Sequence, residues 1–137
     1  MSSDLEIKFP TIPYDENHSE EYHKLNTEDW SPFKGYDLAE IFIFAMSYAY
    51  ANKLPRKPIE GRDKKLPPRG FDTQMRHMMR TLAIHEERNV KIVKDSNKIV
   101  KICAEYANAG FSEIYKKIKG STANRAQILE DMIAEKC

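Results

Sequence analysis

Eight cations, Arg56, Lys57, Arg62, Lys64, Lys65, Arg69, Arg76 and Arg80, fall between residues 56 and 80. Guanidinium and ammonium groups at this density bind anions. A row of them can follow a nucleic-acid backbone without reading its sequence, with affinity that falls steeply as salt rises. Six of the eight lie in a proline-studded stretch, Lys53 to Gly70, and Arg76 and Arg80 stand one turn apart on a predicted helix, with Gln74 and His77 beside them. The competing reading is a solvated arginine face that pairs with carboxylates from the acidic arm at residues 1–30.

No other residue set matches a reaction. The five glycines are scattered singly, so no phosphate-cradling loop leads into a helix. His85-Glu86 opens like a zinc-protease helix, but the second ligand position is Asn89. His77 and His85 lie two helical turns apart, about 12 Å, too far to share a metal. Asp72, Glu86 and Glu87 lack a spacing that would mark a metal-dependent nuclease. Cys103 shares a helical face with Ile99, Ile102 and Tyr106 and reads as a small buried hydrophobe. Ser112, Ser121 and Thr122 suit caps and turns better than an activated hydroxyl. No catalytic residue, metal or cofactor is therefore expected.

The elements that must position the basic segment are helical. Asp37 and Glu40 form an Asp-x-x-Glu capping pattern ahead of a nearly all-apolar run to about Asn52, which predicts a central helix over 38–52 surrounded by others. Pro55, Pro58, Pro67 and Pro68 exclude a helix from the basic connector, whose length marks it as functional or disordered. Asp72 or Thr73 caps a second helix with Met75, Met78, Met79, Leu82 and Ala83 on one buried face, ending near Glu86. After a connector at 89–94, Asp95 or Ser96 caps a third helix that Gly110 should end. A short fourth carries Phe111, Ile114, Tyr115 and Ile118. Beyond Gly120, Ser121 or Thr122 caps a fifth with Ile128, Leu129, Met132 and Ile133. The expectation is an all-α, compact bundle of about five helices.

Residues 1–30 read as an irregular acidic arm and 31–137 as a single helical domain. Leu5, Ile7 and Phe9 could form a short docked extended segment that Pro10 and Pro13 keep short. The formal charge of +1 hides an asymmetry, because residues 1–30 hold two Lys against eight acids and residues 53–80 hold nine Lys or Arg against three. Either the arm shields a basic face or two solvated surfaces differ in sign. Two cysteines, one of them the last residue, indicate neither a disulfide framework nor a thiolate metal site, and a reducing cytoplasm is the expected compartment. No apolar stretch suits a leader or a membrane span.

The order Pro32-Phe33, Tyr36, Ile41 to Ala45, Tyr50, Arg56, Pro58, Phe71, Leu82-Ala83 and Glu105-Tyr106-Ala107-Asn108-Ala109-Gly110 resembles a family of small DNA phosphorothioation (dnd) system-associated proteins, over roughly residues 30–119. The chain departs from the family pattern at Ala49, where a glycine tends to precede the tyrosine, and at Ala109, in place of the first of paired glycines. The resemblance implies a role beside the machinery that replaces a backbone phosphate oxygen with sulfur or restricts unmodified DNA, and it implies no mechanism. The chain is expected to be a non-catalytic accessory of such a modification and restriction (phage-defence) system. As an adaptor for larger protein subunits it would use arm aromatics, Tyr14 and Tyr22, and the proline-rich connector. The alternatives are a sequence-independent DNA-binding protein using segment 53–80 and an unrecognised enzyme. Trp30 and Phe33 are expected to staple the arm to the central helix instead.

Overall fold

A computed structural model of the chain describes residues 10–61, 64–120 and 133. Four α-helices and two very short strands make up its regular structure among these residues, in the order β1 (Ile12–Pro13), α1 (Ser19–Thr27), α2 (Leu38–Ala51), β2 (Lys65–Leu66), α3 (Thr73–Glu87) and α4 (Ser96–Gly120). Single 3-10 turns precede α1, α3 and α4, at Glu16–His18, Pro68–Gly70 and Val90–Lys94.

The capping residues do what their positions require. The Asp37 backbone N–H donates to Glu40 Oε1 at 2.9 Å, so α2 starts on a reciprocal capping box. Asp72 accepts from the Met75 N–H at 2.8 Å, and Asp95 from the Lys98 N–H at 3.1 Å. Helix α2 then buries Ile41, Phe42, Ala45, Met46, Tyr48 and Ala49, with α4 as its principal neighbour. A helix apolar on nearly every side must be enclosed, and α2 is.

Helix α4 differs from the expectation of two helices divided at Gly110. It runs unbroken for 25 residues. Gly110 is internal because it lies against the backbone of α2: a Cβ built there would stand 2.0 Å from the Ala45 carbonyl oxygen and 3.1 Å from Ala49 Cβ. The glycine that reads as a helix stop is a point of close helix contact. Both small residues opposite it, Ala45 and Ala49, are fully buried.

The N-terminal arm is also more ordered than its composition suggests. From residue 10 onward it holds β1, a 3-10 turn and α1. Ile12 stands opposite Leu66 and Pro13 opposite Lys65 in an antiparallel pair, which continues as Tyr14 N–H to Lys64 O (3.1 Å) and Glu16 N–H to Glu60 O (3.0 Å). Arm and connector thus satisfy each other's backbone groups, and a loop of connector length becomes tolerable in a packed structure. Tyr22 stacks on Phe111 of α4 at 4.1 Å, and Tyr14 meets Tyr22 edge-on at 4.9 Å. Phe33 packs against Phe44 of α2 at 5.0 Å, as expected of a staple, while Trp30 reaches Tyr115 of α4 instead. The extended segment expected at Leu5 to Phe9 lies outside the described residues. So does the fifth helix, apart from Ile133, which is helical and exposed.

Candidate functional site

Three features come together where the connector crosses α4. Asn108 is buried, and its Nδ2 donates to the Lys57 and Pro58 carbonyls at 3.2 and 3.0 Å and to Asp15 Oδ2 at 3.1 Å. Asp15, equally buried, also accepts from the Glu60 N–H at 3.1 Å and the Asn17 N–H at 2.9 Å. Beside them the Lys57 N–H donates to the Glu105 carbonyl, and the Arg56 Nε sits 3.5 Å from Glu105 and 3.7 Å from Glu86. Tyr106 donates its hydroxyl to Glu86 at 2.8 Å; burial, and then that bond, push its phenol up to about 12. The connector is clamped to α4 rather than loose.

Part of the basic segment is engaged within the fold. Arg56 is held between two carboxylates. Arg76 is half-buried and donates Nε to the Phe71 carbonyl (2.8 Å) and Nη2 to the Pro68 carbonyl (2.6 Å), closing the 3-10 turn before α3. Arg80 is half-buried too. Lys57, Lys64, Lys65 and Arg69 are exposed, and Arg62 lies outside the described residues. Tyr14 and Tyr22, expected as partner-contacting aromatics, are 7% and 2% exposed and belong to the core, because their rings fill the space between the arm and α4.

A groove opens between α2 and α3. Its volume is about 440 Å³, and Met46, Tyr50, His77, Met78, Leu82 and His85 are among its lining residues. Met78, expected on the buried face of α3, is 39% exposed here. Both histidines are exposed, and His85 meets the Tyr50 ring edge-on at 6.4 Å. Among the described residues no group of three or more His, Cys, Asp or Glu is placed to hold a metal ion.

A second pocket, of about 330 Å³, lies between the connector and α4, with Lys57, Ser112 and Lys116 on its wall. His18 packs on Phe111 next to it and places Nε2 3.2 Å from Ser112 Oγ, while its Nδ1 is 2.7 Å from Glu21 Oε1.

A family model described as DNA sulphur modification system-associated protein 4 matches residues 12–137. The chain belongs to this family. Neither a curated protein nor a solved structure matches it significantly. The description associates the DNA sulphur modification system-associated protein 4 family with DNA sulphur modification. In this member, the Glu105 to Gly110 run is the clamp just described.

Cys103 is buried with its thiol against the Met79 carbonyl, and burial pushes its pKa up, so it is inert as a nucleophile. No helix among the described residues is long and apolar enough to cross a membrane. The sequence did not single out His18 or Glu21, and it placed Ser112 in a turn. Ser112 is instead in the middle of α4, and only the fold brings His18 to it across 94 positions.

Proposed function

We propose that this protein is an adaptor that docks a larger protein subunit of a DNA phosphorothioation or restriction system in the cytoplasm, through the groove between α2 and α3. The observation that carries the reading is that groove, a concave apolar trough with Met46 and Met78 in its lining and an exposed Met78 at its surface. Methionine is unbranched and polarizable, so a Met-lined trough accommodates an apolar helix face without exact shape matching. His77, His85 and Gln74 supply polar positions around the trough. The occupant is an amphipathic helical segment of the partner subunit, laid along the groove by anchors at three and four spacing. The family's association with a DNA sulphur modification system supports protein partners of that machinery.

A second reading keeps DNA contact, because Lys64, Lys65 and Arg69 are exposed on the connector. The two readings separate in one experiment. Subunits of a DNA sulphur modification system, and separately a DNA duplex, are offered to wild type, to Met78→Glu, and to the triple variant Lys64→Ala, Lys65→Ala, Arg69→Ala, at low and high salt. The adaptor reading expects capture that resists salt, survives the triple variant and is lost in Met78→Glu. Retention by a folded Met78→Glu protein overturns it. Salt-sensitive duplex binding that disappears in the triple variant establishes the DNA reading.

A further inference from the structure

We propose that Ser112 is an activated nucleophile, with His18 as its general base and Glu21 orienting the imidazole, in a pocket that takes a carboxylic ester. Three contacts carry it. Glu21 Oε1 lies 2.7 Å from His18 Nδ1, so the carboxylate accepts the Nδ1–H and leaves Nε2 as an acceptor. That acceptor is 3.2 Å from Ser112 Oγ, within reach of the hydroxyl proton, and the Asn108 carbonyl competes for the same proton at 3.3 Å. Lys57 Nζ donates to the same oxygen at 3.4 Å, placing a positive charge where a serine alkoxide would form. Nucleophile, base and orienting acid are thus in the order that serine acyl transfer needs, on an unrelated scaffold.

The surroundings fit an ester better than a purely structural hydrogen bond. Ser112 lines an open pocket of about 330 Å³ instead of being sealed inside. Leu54, Pro55, Pro58 and Ala109 give that pocket an apolar wall for an acyl chain, and Lys57 and Lys116 give it cations. The backbone N–H groups of an unbroken helix are already bonded, so they cannot form an oxyanion hole. The Lys57 ammonium takes that role, since Lys116 pairs with Glu113 at 3.7 Å. Ser112 Oγ bonds to the ester carbonyl carbon as its proton passes to His18 Nε2, and the carbonyl pair moves to the oxygen facing Lys57. Collapse of that oxyanion breaks the bond to the alcohol, which leaves with the proton from His18. Water, deprotonated by the same nitrogen, then releases the acid and restores Ser112. This pocket shares no lining residue with the docking groove, so the two proposals stand or fall separately.

The test treats the full chain with a fluorophosphonate probe, maps the adduct by mass spectrometry, and follows hydrolysis of p-nitrophenyl acetate in parallel. Wild type is expected to carry one adduct on Ser112, and Ser112→Ala none. His18→Gln should label at least about 100-fold more slowly, the lower end of what a positioned base contributes. Because His18 packs on Phe111, that variant can misfold; Glu21→Gln, at a partly exposed position, then decides, with labelling slowed about tenfold or more in a protein of unchanged thermal midpoint. No adduct on folded wild type, an adduct elsewhere, or labelling that Glu21→Gln leaves unchanged overturns the proposal.

Discussion

Replacing Gly110 by Ala tests whether α2 and α4 touch as closely as the structure has them. In an ordinary helix interior the change would stabilise by about 1 kcal/mol, since Gly is the poorer helix former. Here the added methyl would stand 2.0 Å from the Ala45 carbonyl oxygen and 2.8 Å from its carbon. Both are backbone atoms of α2 and cannot rotate away. Relief to an ordinary contact of about 3.4 Å requires the helices to part by more than an ångström along their most extensive interface. Overpacking a filled interior costs about 1–3 kcal/mol, and the upper end applies where backbone must move. After subtracting the propensity gain, a net loss of about 2 kcal/mol or more remains. For a chain of this size that is a fall of roughly 7 °C in thermal midpoint. The assay is thermal and urea unfolding followed by circular dichroism, with Gly70→Ala as control, because a Cβ there meets only Ala39 Cβ at 3.7 Å. An unchanged or raised midpoint in Gly110→Ala would refute the close crossing and make Gly110 an ordinary, unhindered helix-interior position.

Arg76→Ala should destabilise by about 2 kcal/mol, since it removes charged hydrogen bonds to the Phe71 and Pro68 carbonyls; a midpoint within 1 °C of wild type would show that those bonds contribute nothing. A loss of DNA affinity in that variant would therefore mix folding with contact, which is why Lys64, Lys65 and Arg69 are the cleaner probes. Tyr106 has its phenol raised to about 12 by burial and by its bond to Glu86, above the unfolded value near 10. Its folded form keeps a proton that the unfolded chain has lost, so its contribution is complete below pH 10 and is lost as pH climbs from 10 to 12. Tyr106→Phe should flatten part of that alkaline loss, the buried Tyr22 supplying more of it in the same direction. Urea midpoints between pH 9 and 12 that fall equally steeply in both proteins would contradict this.

Local chemistry was legible in the sequence and distant partnership was not. The Asp37 and Glu40 box, the Asp72 cap and the apolar enclosure of α2 depend on neighbours within a turn or two, and residue types alone specify them. Helix α1 was missed because Ser19–Thr27 buries only Tyr22 and Leu25, and its stability comes from Phe111 on a helix far along the chain. The two-residue strands β1 and β2 carry no periodicity to read, and their pairing spans more than fifty positions. Met78 was assigned to the core because it continues the Met75 and Met79 stripe; among the described residues no second neighbour covers α3 there, and the groove results. Sequence shows the charges of segment 53–80 and not their partners, so the ion pairs of Arg56 and the carbonyl bonds of Arg76 were not legible in it.

The residues that reveal the family are a poor guide to what its members touch. Glu105 holds Arg56 and the Lys57 N–H, Tyr106 holds Glu86, Asn108 holds Asp15 and two connector carbonyls, and Gly110 lets α4 meet the α2 backbone. Ala107 and Ala109 are buried and small, as close packing around such a crossing demands. A single helical run thereby fixes the arm, the connector and the central helix in register. Removing the Asn108 side chain would leave the buried Asp15 and the two connector carbonyls short of a donor, at about 1–3 kcal/mol each, whatever partner the protein serves. Function must be sought where this run stops holding the fold together. Met78 in the groove and Ser112 in the second pocket are two such positions, and at both the side chain reaches open space rather than only its own fold.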